Sequence, residues 1–310
     1  MNEFELIQRL CRCLPSNAAV VAGPGDDCAV LDLGLADRWV LFKTDAVVEG
    51  IHFTREADPR RVGHKALARC LSDVAAMSGL PTAAVVTLAL PPAFDAGWVE
   101  AIYAGLGATA RQFGVAIVGG ETTTNPERML LSVALVGTVE KARCVRRSGA
   151  QPGDALFVSG ELGGSLAGRH LEFVPRLVEA RWLTEHFAIH SMIDLSDGLA
   201  GDVRHLLQEG RCGVELLKQA IPISRAARLQ ARGESSVKPP LLAALTDGED
   251  FELLFTVASR DAVAVLDGWK ARFPEVKLSC IGRITPEPGV RLRDGEWVRP
   301  LNVHGYIHFA

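Results

Sequence analysis

Five short acidic clusters limit the folds open to this chain: Gly25-Asp26-Asp27, Thr44-Asp45, Ser72-Asp73, Asp194-Leu195-Ser196-Asp197-Gly198 and Asp247-Gly248-Glu249-Asp250. Each lies beside Gly, Ser or Thr and near an apolar stretch of strand or helix character. Carboxylates brought together repel one another and resist ionising unless cations neutralise them. Hard oxygen ligands of this kind suit Mg²⁺, which keeps several waters and shares the phosphates of a substrate. The chain therefore reads as a metal-dependent nucleotide enzyme if folding brings the clusters together.

At 310 residues the chain is long for one core, and two domains are expected. Apolar residues make up 48% of it, enough to supply buried cores. The net charge of −4 argues against a nucleic-acid partner, since phosphate-backbone binding needs a basic stripe. Arg143, Arg146 and Arg147 form only a small basic knot. The 7 cysteines are scattered without a C-x-x-C pair, which argues against a zinc ribbon or a disulfide framework. Reduced thiols in a cytoplasm are expected. The first residues are acidic and lack the apolar run of a signal peptide. The most apolar stretch, Ala83 to Leu90, is too short to span a bilayer, so no membrane partner is expected.

Helical spacing of Phe4, Ile7, Leu10, Cys11 and Leu14 predicts a helix over 2–14. Strands are expected at 29–33, 39–44, 83–90, 115–118 and 129–139, with acidic turns at strand ends. Asp58-Pro59 is an N-cap followed by Pro at the first helical position, and Asp95 caps a second helix that Gly114 stops. The pattern restarts near 149–154, the expected boundary between a domain over 1–140 and one over 150–310. There a strand over 155–159 runs through Gly160-Glu161-Leu162-Gly163-Gly164-Ser165 into an expected helix. Further on come a strand ending at Asp194, a helix over 198–209, a loose loop over 233–240 and a strand over 251–257. Asp294-Gly295 marks a hairpin turn.

The familiar nucleotide motifs are missing. No G-x-x-x-x-G-K-[ST] occurs, and Gly105-Leu106-Gly107-Ala108-Thr109-Ala110 lies inside a helical pattern, where packing is its expected role. Taken alone, Thr44-Asp45 and Ser72-Asp73 read more readily as caps or solvated loops than as a site. Asp194-Leu195-Ser196-Asp197-Gly198 is sharper, because it ends an apolar strand and opens a helix whose N-terminus attracts phosphate. Gly119-Gly120-Glu121-Thr122-Thr123 reads as a strand end whose glycines let backbone approach a ligand. The histidines show no metal-ligand spacing, and most are expected at the surface.

Read in order, the clusters resemble the thiamine-monophosphate kinase family, part of the superfamily that includes aminoimidazole ribonucleotide synthetase. The stretches that carry the resemblance include Gly25-Asp26-Asp27-Cys28-Ala29-Val30, the run from Thr44-Asp45 through Glu49-Gly50-Ile51-His52-Phe53, and Lys65-Ala66-Leu67-Ala68 with Leu71-Ser72-Asp73. Arg147-Ser148-Gly149-Ala150, Ile193 to Gly198, Gly248 to Leu253 and Gly305 to Phe309 follow. The resemblance implies an α+β (mixed α/β) fold of two domains, each a mixed sheet packed with helices. It also implies a homodimer paired through the N-terminal domains, with ATP in a cleft near that interface.

By the same resemblance, Asp27, Thr44, Asp45, Asp73, Glu121, Asp194 and Asp197 match magnesium ligands, with the Lys43 backbone as a further contributor. Gly120, Glu121, Arg147 and Ser196 match positions around the ATP phosphates. His52, Glu249 and Tyr306 match positions facing thiamine monophosphate. Arg147, Asp194 and Asp197 carry the catalytic expectation. This chain departs from the family pattern at Glu121 (usually Asp), Lys43 (commonly a small hydroxyl residue), Asp247 (usually Gly) and Cys70 (commonly Asn). The implied reaction is direct in-line transfer of the γ-phosphoryl group of ATP to the substrate phosphate, assisted by several Mg²⁺ ions. A phosphate monoester has a second pKa of about 6, so the nucleophile is mostly dianionic without a general base. The alternative is an ATP-dependent synthetase of the same superfamily, acting on another phosphorylated or carbonyl-bearing small molecule.

Overall fold

A computed structural model describes residues 3–207, 211–231 and 238–306. Most of the loop expected over 233–240, the end of the helix expected to 209 and the terminal Ile307-His308-Phe309 lie outside the described residues. The chain opens with α1 (Glu3–Cys11), β1 (Val20–Ala22), β2 (Ala29–Leu31), β3 (Arg38–Val48), α2 (Pro59–Ala76), β4 (Leu80–Leu90), α3 (Ala96–Gln112), β5 (Ala116–Thr124) and β6 (Leu130–Glu140). Its strands form one six-stranded sheet in the order β1-β2-β3-β6-β4-β5. Pairing is antiparallel except between β4 and β5, which α3 connects.

The second part holds β7 (Asp154–Ser159), α4 (Leu177–His186), β8 (Ile189–Asp194), α5 (Leu199–His205), β9 (Gly213–Leu217), α6 (Arg225–Gln230) and α7 (Pro240–Thr246). It ends with β10 (Leu253–Ala258), α8 (Ala262–Arg272), β11 (Leu278–Thr285), β12 (Gly289–Asp294) and β13 (Trp297–Pro300). These strands form a seven-stranded sheet in the order β13-β12-β9-β11-β7-β10-β8. The fold is thus a mixed α/β arrangement of two sheets with helices, as the sequence implied.

Helix α2 positions the site. Asp58 caps it by accepting a hydrogen bond from the Arg60 N–H, and Pro59 occupies its first turn. It packs on β3 and β6 of the first sheet and also on α4 and β8 of the second part. Leu67, Leu71 and Val74 are fully buried, in one cluster with Val133, Leu183 and Phe255. Helices α2 and α3 meet backbone to backbone: a Cβ on Gly63 would lie 1.9 Å from the Ile102 carbonyl oxygen, and one on Gly105 1.9 Å from that of Arg60. The Gly105-Leu106-Gly107 string is therefore a helix-packing surface.

Strand ends account for the main departures from the sequence reading. Strand β3 continues to Val48, so Thr44-Asp45 sits in mid-strand rather than in a turn. Strand β5 runs through Gly119-Gly120-Glu121 to Thr124, because its pairing with β4 extends to Leu90. After β7 the chain makes two 3₁₀ turns, at Ser165–Ala167 and Arg169–Leu171, in place of the expected helix. Gly164 and Gly168 flank these turns at φ of +67° and +131°, conformations that interrupt a helix. The predicted hairpin closes between Asp294 and Trp297.

Candidate active site

Three distant aspartates meet. Asp27 follows the Gly23-Pro24-Gly25 break, Asp73 lies in the last turns of α2, and Asp194 ends β8. All three are buried, and each offers a carboxylate oxygen within 4.8 Å of the others. Asp27 Oδ2 has no hydrogen-bond partner among the described residues. Burial pushes Asp194 up to about 6, and the neighbouring Asp27 charge adds to it. Burial also lifts Asp73 well above the usual carboxylate range, with the charges of Asp45, Asp194 and Asp27 adding to it and Lys43 opposing. Asp27 is raised by burial despite Arg147. Such a group binds protons or cations readily. The orphaned oxygen and the all-carboxylate donor set both fit Mg²⁺.

The surrounding cations belong to the chain. Arg147 follows the 3₁₀ turn after β6 and reaches Asp27 Oδ1 through Nε at 3.1 Å and Nη2 at 2.6 Å. Its own N–H bonds Asp26 Oδ1 at 3.0 Å, which fixes the loop. Burial opposes the Arg147 charge, but Asp27 outweighs it and holds the guanidinium above its ordinary value. Lys43 projects from β3 on the α2 face, with Nζ 2.8 Å from Asp73 and 3.9 Å from Asp45. The Ser72 hydroxyl donates to Asp194 Oδ2 at 2.6 Å. Asp45 lies 3.8 Å from Arg69, at the margin of the trio.

A cavity of about 100 Å³ is lined by Arg69, one helical turn before Asp73, and by Ser196, two residues past Asp194, together with His52, Asp197, Glu249 and Tyr306. The three residues expected to face substrate thus share one cavity with two from the helix-opening motif. The Glu249 N–H bonds the Ser196 carbonyl at 2.7 Å, and the Tyr306 N–H bonds that of Asp197 at 2.8 Å. Asp197 is therefore placed at the cavity wall and is not one of the three gathered carboxylates. Its N–H donates to the buried carboxylate of Asp202 at 3.1 Å.

The wall under Glu249 was assigned no role from the sequence. Lys65, fully buried on α2, bonds the Glu249 carboxylate, the His52 carbonyl at 2.7 Å and His170 Nδ1 at 2.8 Å. Burial works against the Glu249 charge, but His170, Lys65 and Arg69 overcome it and hold the carboxyl near about 2. Burial brings Lys65 down to about 8 even though Glu249 opposes the shift. The two shifts differ because Lys65 gives up all of its hydration for one carboxylate, whereas Glu249 is served by several donors. Lys65, Arg69 and Asp73 recur every four residues on α2, so one helix face carries both the substrate wall and a metal-site carboxylate. That spacing was the signal available in the sequence. His170 and His64 also turn out to be bonded in the interior rather than displayed at the surface; His64 contacts Thr109 and the Phe173 carbonyl.

Thr44 and Glu121 lie elsewhere. Strand alternation turns Thr44 to the sheet face opposite Lys43 and Asp45, where its hydroxyl is 3.3 Å from that of Ser132. Glu121 pairs with Thr87, which pairs with Ser132, and so joins the same face. Gly120 faces the other way. A Cβ there would lie 1.9 Å from the Val86 carbonyl oxygen. A second cleft of about 530 Å³ opens on the far side of Arg147, with Gly23, Asp26, Arg146 and Arg204 in its lining. Another cavity, about 730 Å³ between the end of α3 and α4, has none of the expected site residues in its lining.

Comparison with known proteins follows the same lines. Residues 25–139 match the family described as AIR synthase related protein, N-terminal domain. The chain is 40% identical over 298 residues to thiamine-monophosphate kinase of Rhodopirellula baltica, covering 93% of this chain and 92% of that protein. It is 35% identical over 335 residues to thiamine-monophosphate kinase of Escherichia coli (strain K12), covering 100% and 98%. A solved structure described as AaThiL complexed with AMPPCP and TMP superposes with a TM-score of 0.83 at 32% identity, covering 99% of this chain and 97% of that one. On these full-length likenesses, the chain belongs to the thiamine-monophosphate kinase family.

Proposed function

We infer that the protein transfers the γ-phosphoryl group of ATP to the phosphate of thiamine monophosphate, yielding thiamine diphosphate and ADP. The observation that carries this reading is the buried meeting of Asp27, Asp73 and Asp194 beside a cavity that holds His52, Glu249 and Tyr306. The relative that was solved with AMPPCP and TMP supports both substrates. An oxygen of the substrate phosphate attacks the γ-phosphorus, and the bond to the β-γ bridging oxygen breaks, leaving ADP. No proton needs to be removed first, because the attacking phosphate is already mostly dianionic. The chain's task is to align two anions and lessen their repulsion. Arg147, braced on Asp26 and Asp27, sets one fixed positive charge there, and Glu249 and His52 orient the organic part of the acceptor.

We assign Asp27, Asp73 and Asp194 to Mg²⁺, with Asp45 and Asp197 at its margin. Bound there, Mg²⁺ would screen phosphate charge and stabilise the in-line arrangement. Thr44 and Glu121, on the other sheet face, are assigned to a separate ion, and Gly120, Arg147 and Ser196 to the nucleotide phosphates. We further propose that residues 1–140 and 150–310 are separate domains and that two copies pair through the first sheet. Its face away from α2 exposes Phe42, Val85, Val118 and Val136, and a patch of that kind marks an interaction surface. A cytoplasmic setting accords with seven free cysteines, and no described helix is long and apolar enough to cross a membrane.

Incubation with Mg-ATP and thiamine monophosphate tests the reading. ADP and thiamine diphosphate in equal amounts are expected. ADP without thiamine diphosphate would favour the synthetase reading, and no ADP with any acceptor would overturn both.

A further inference from the structure

Four carboxylates approach one another at the site, and the chain already supplies cations for most of them. Asp27 has Arg147 at 2.6 Å, Asp73 has Lys43 at 2.8 Å, and Asp45 lies between Lys43 at 3.9 Å and Arg69 at 3.8 Å. Only Asp194 has no cation within ion-pair distance among the described residues, and it receives the Ser72 hydroxyl instead. Three fixed positive charges therefore face four negative ones. Lys43 is central to this balance, because among the described residues its ammonium is the one group within ion-pair distance of both Asp45 and Asp73. The strand holds it there. Leu41 and Val47, on the same face of β3, are buried, and the Lys43 side chain itself is only 21% exposed.

We propose that the Lys43 ammonium is a built-in counter-ion between Asp45 and Asp73, occupying a position that a divalent ion would otherwise take. The chain then holds one divalent ion fewer than its carboxylates provide for. This inference rests on reading the carboxylates as a magnesium site and concerns how many ions that site accepts. A monovalent, tethered cation offsets one of the pair's two charges at every metal concentration, and it repels a divalent ion that approaches the same oxygens.

The test is Mn²⁺ binding to the nucleotide-free full-length protein by equilibrium dialysis, with Mn²⁺ standing in for Mg²⁺. Lys43→Met and Lys43→Gln remove the charge at similar length, Lys43→Arg keeps it, and Asp194→Asn reports on the trio. Both uncharged variants are expected to bind one more Mn²⁺ per chain than the parent, or to bind the existing ion about tenfold tighter or more. Lys43→Arg should keep the parent stoichiometry. Mn²⁺ should also raise the melting temperature of the uncharged variants more than that of the parent. Unchanged stoichiometry and affinity in both uncharged variants would remove Lys43 from this role, and so would an equal gain in Lys43→Arg. If the parent's Mn²⁺ is lost in Asp194→Asn, the magnesium reading stands whatever Lys43 does. If no Mn²⁺ binds to the parent or to any Lys43 variant, or if binding survives Asp194→Asn undiminished, the magnesium reading falls and takes the inference with it.

Discussion

Asp194 combines burial, a short hydroxyl bond and like charges nearby in one side chain. Asp194→Asn retains an oxygen to accept from Ser72 while removing the charge. It is expected to lower kcat by about a hundredfold or more, with the melting temperature changed by only a few degrees, since one repelling carboxylate has gone. Steady-state assays at saturating Mg-ATP, paired with thermal melts, check both parts. Wild-type turnover in this variant would refute the assigned role. Glu249 behaves in the opposite sense. Its carboxyl is held near about 2 in the fold, below the ordinary 4.5, so its ionised form stabilises the protein above about pH 4.5. That contribution, on the order of 2 kcal/mol, is lost as pH falls from about 4.5 towards 2. Urea unfolding at pH 5 and pH 3 should show a smaller drop for Glu249→Gln than for the parent. The acidic residues themselves were legible in the sequence, because each lies in a short cluster beside Gly, Ser or Thr, although Asp45 proves to sit in mid-strand and Asp73 within α2. Their cationic partners on α2 were not, since nothing local ties Lys65 and Arg69 to the carboxylates that the fold brings to them.

At the scale of elements, α2 ties the chemistry together. One face carries Lys65 under Glu249, Arg69 between Asp45 and Glu249, and Asp73 at the trio. Its distance from α3 is set by Gly63 and Gly105, where the helices touch through backbone. Gly63→Ala places a methyl group against the Ile102 carbonyl and forces the helices apart. It should cost about 2 kcal/mol or more in urea unfolding and lower kcat as well, because the site residues travel with the helix. Unchanged stability would show that α2 and α3 can separate freely. Helix starts were the best-read elements, as at Asp58-Pro59 and Asp95, because a cap acts within one turn of chain. The lengths of β3 and β5 were misread because partner strands, not local residues, decide how far a strand continues. Thr44 and Glu121 were grouped with the aspartates by the resemblance, and the order of letters did not reveal that both take the opposite sheet face.

For the whole molecule, the uncovered face of the first sheet is the feature most in need of a partner. Phe42 and Val118 are 47% and 65% exposed there, beside Val85 and Val136. Phe42→Asp is expected to convert a dimer into monomers in sedimentation equilibrium, and an unaltered assembly state would locate the interface elsewhere. By itself the sequence determined which residues carry charge, where helices begin and that carboxylates dominate the functional inventory, because composition, capping and turn preference act over a few residues. Only the tertiary structure decided which of those carboxylates meet. Packing α2 between the two halves brings Asp73 from a helix, Asp27 from a loop and Asp194 from a strand end within one ion's reach. It also sends Lys43 into that cluster and Thr44 away from it, a choice between the two faces of β3 that burial makes and local chemistry does not.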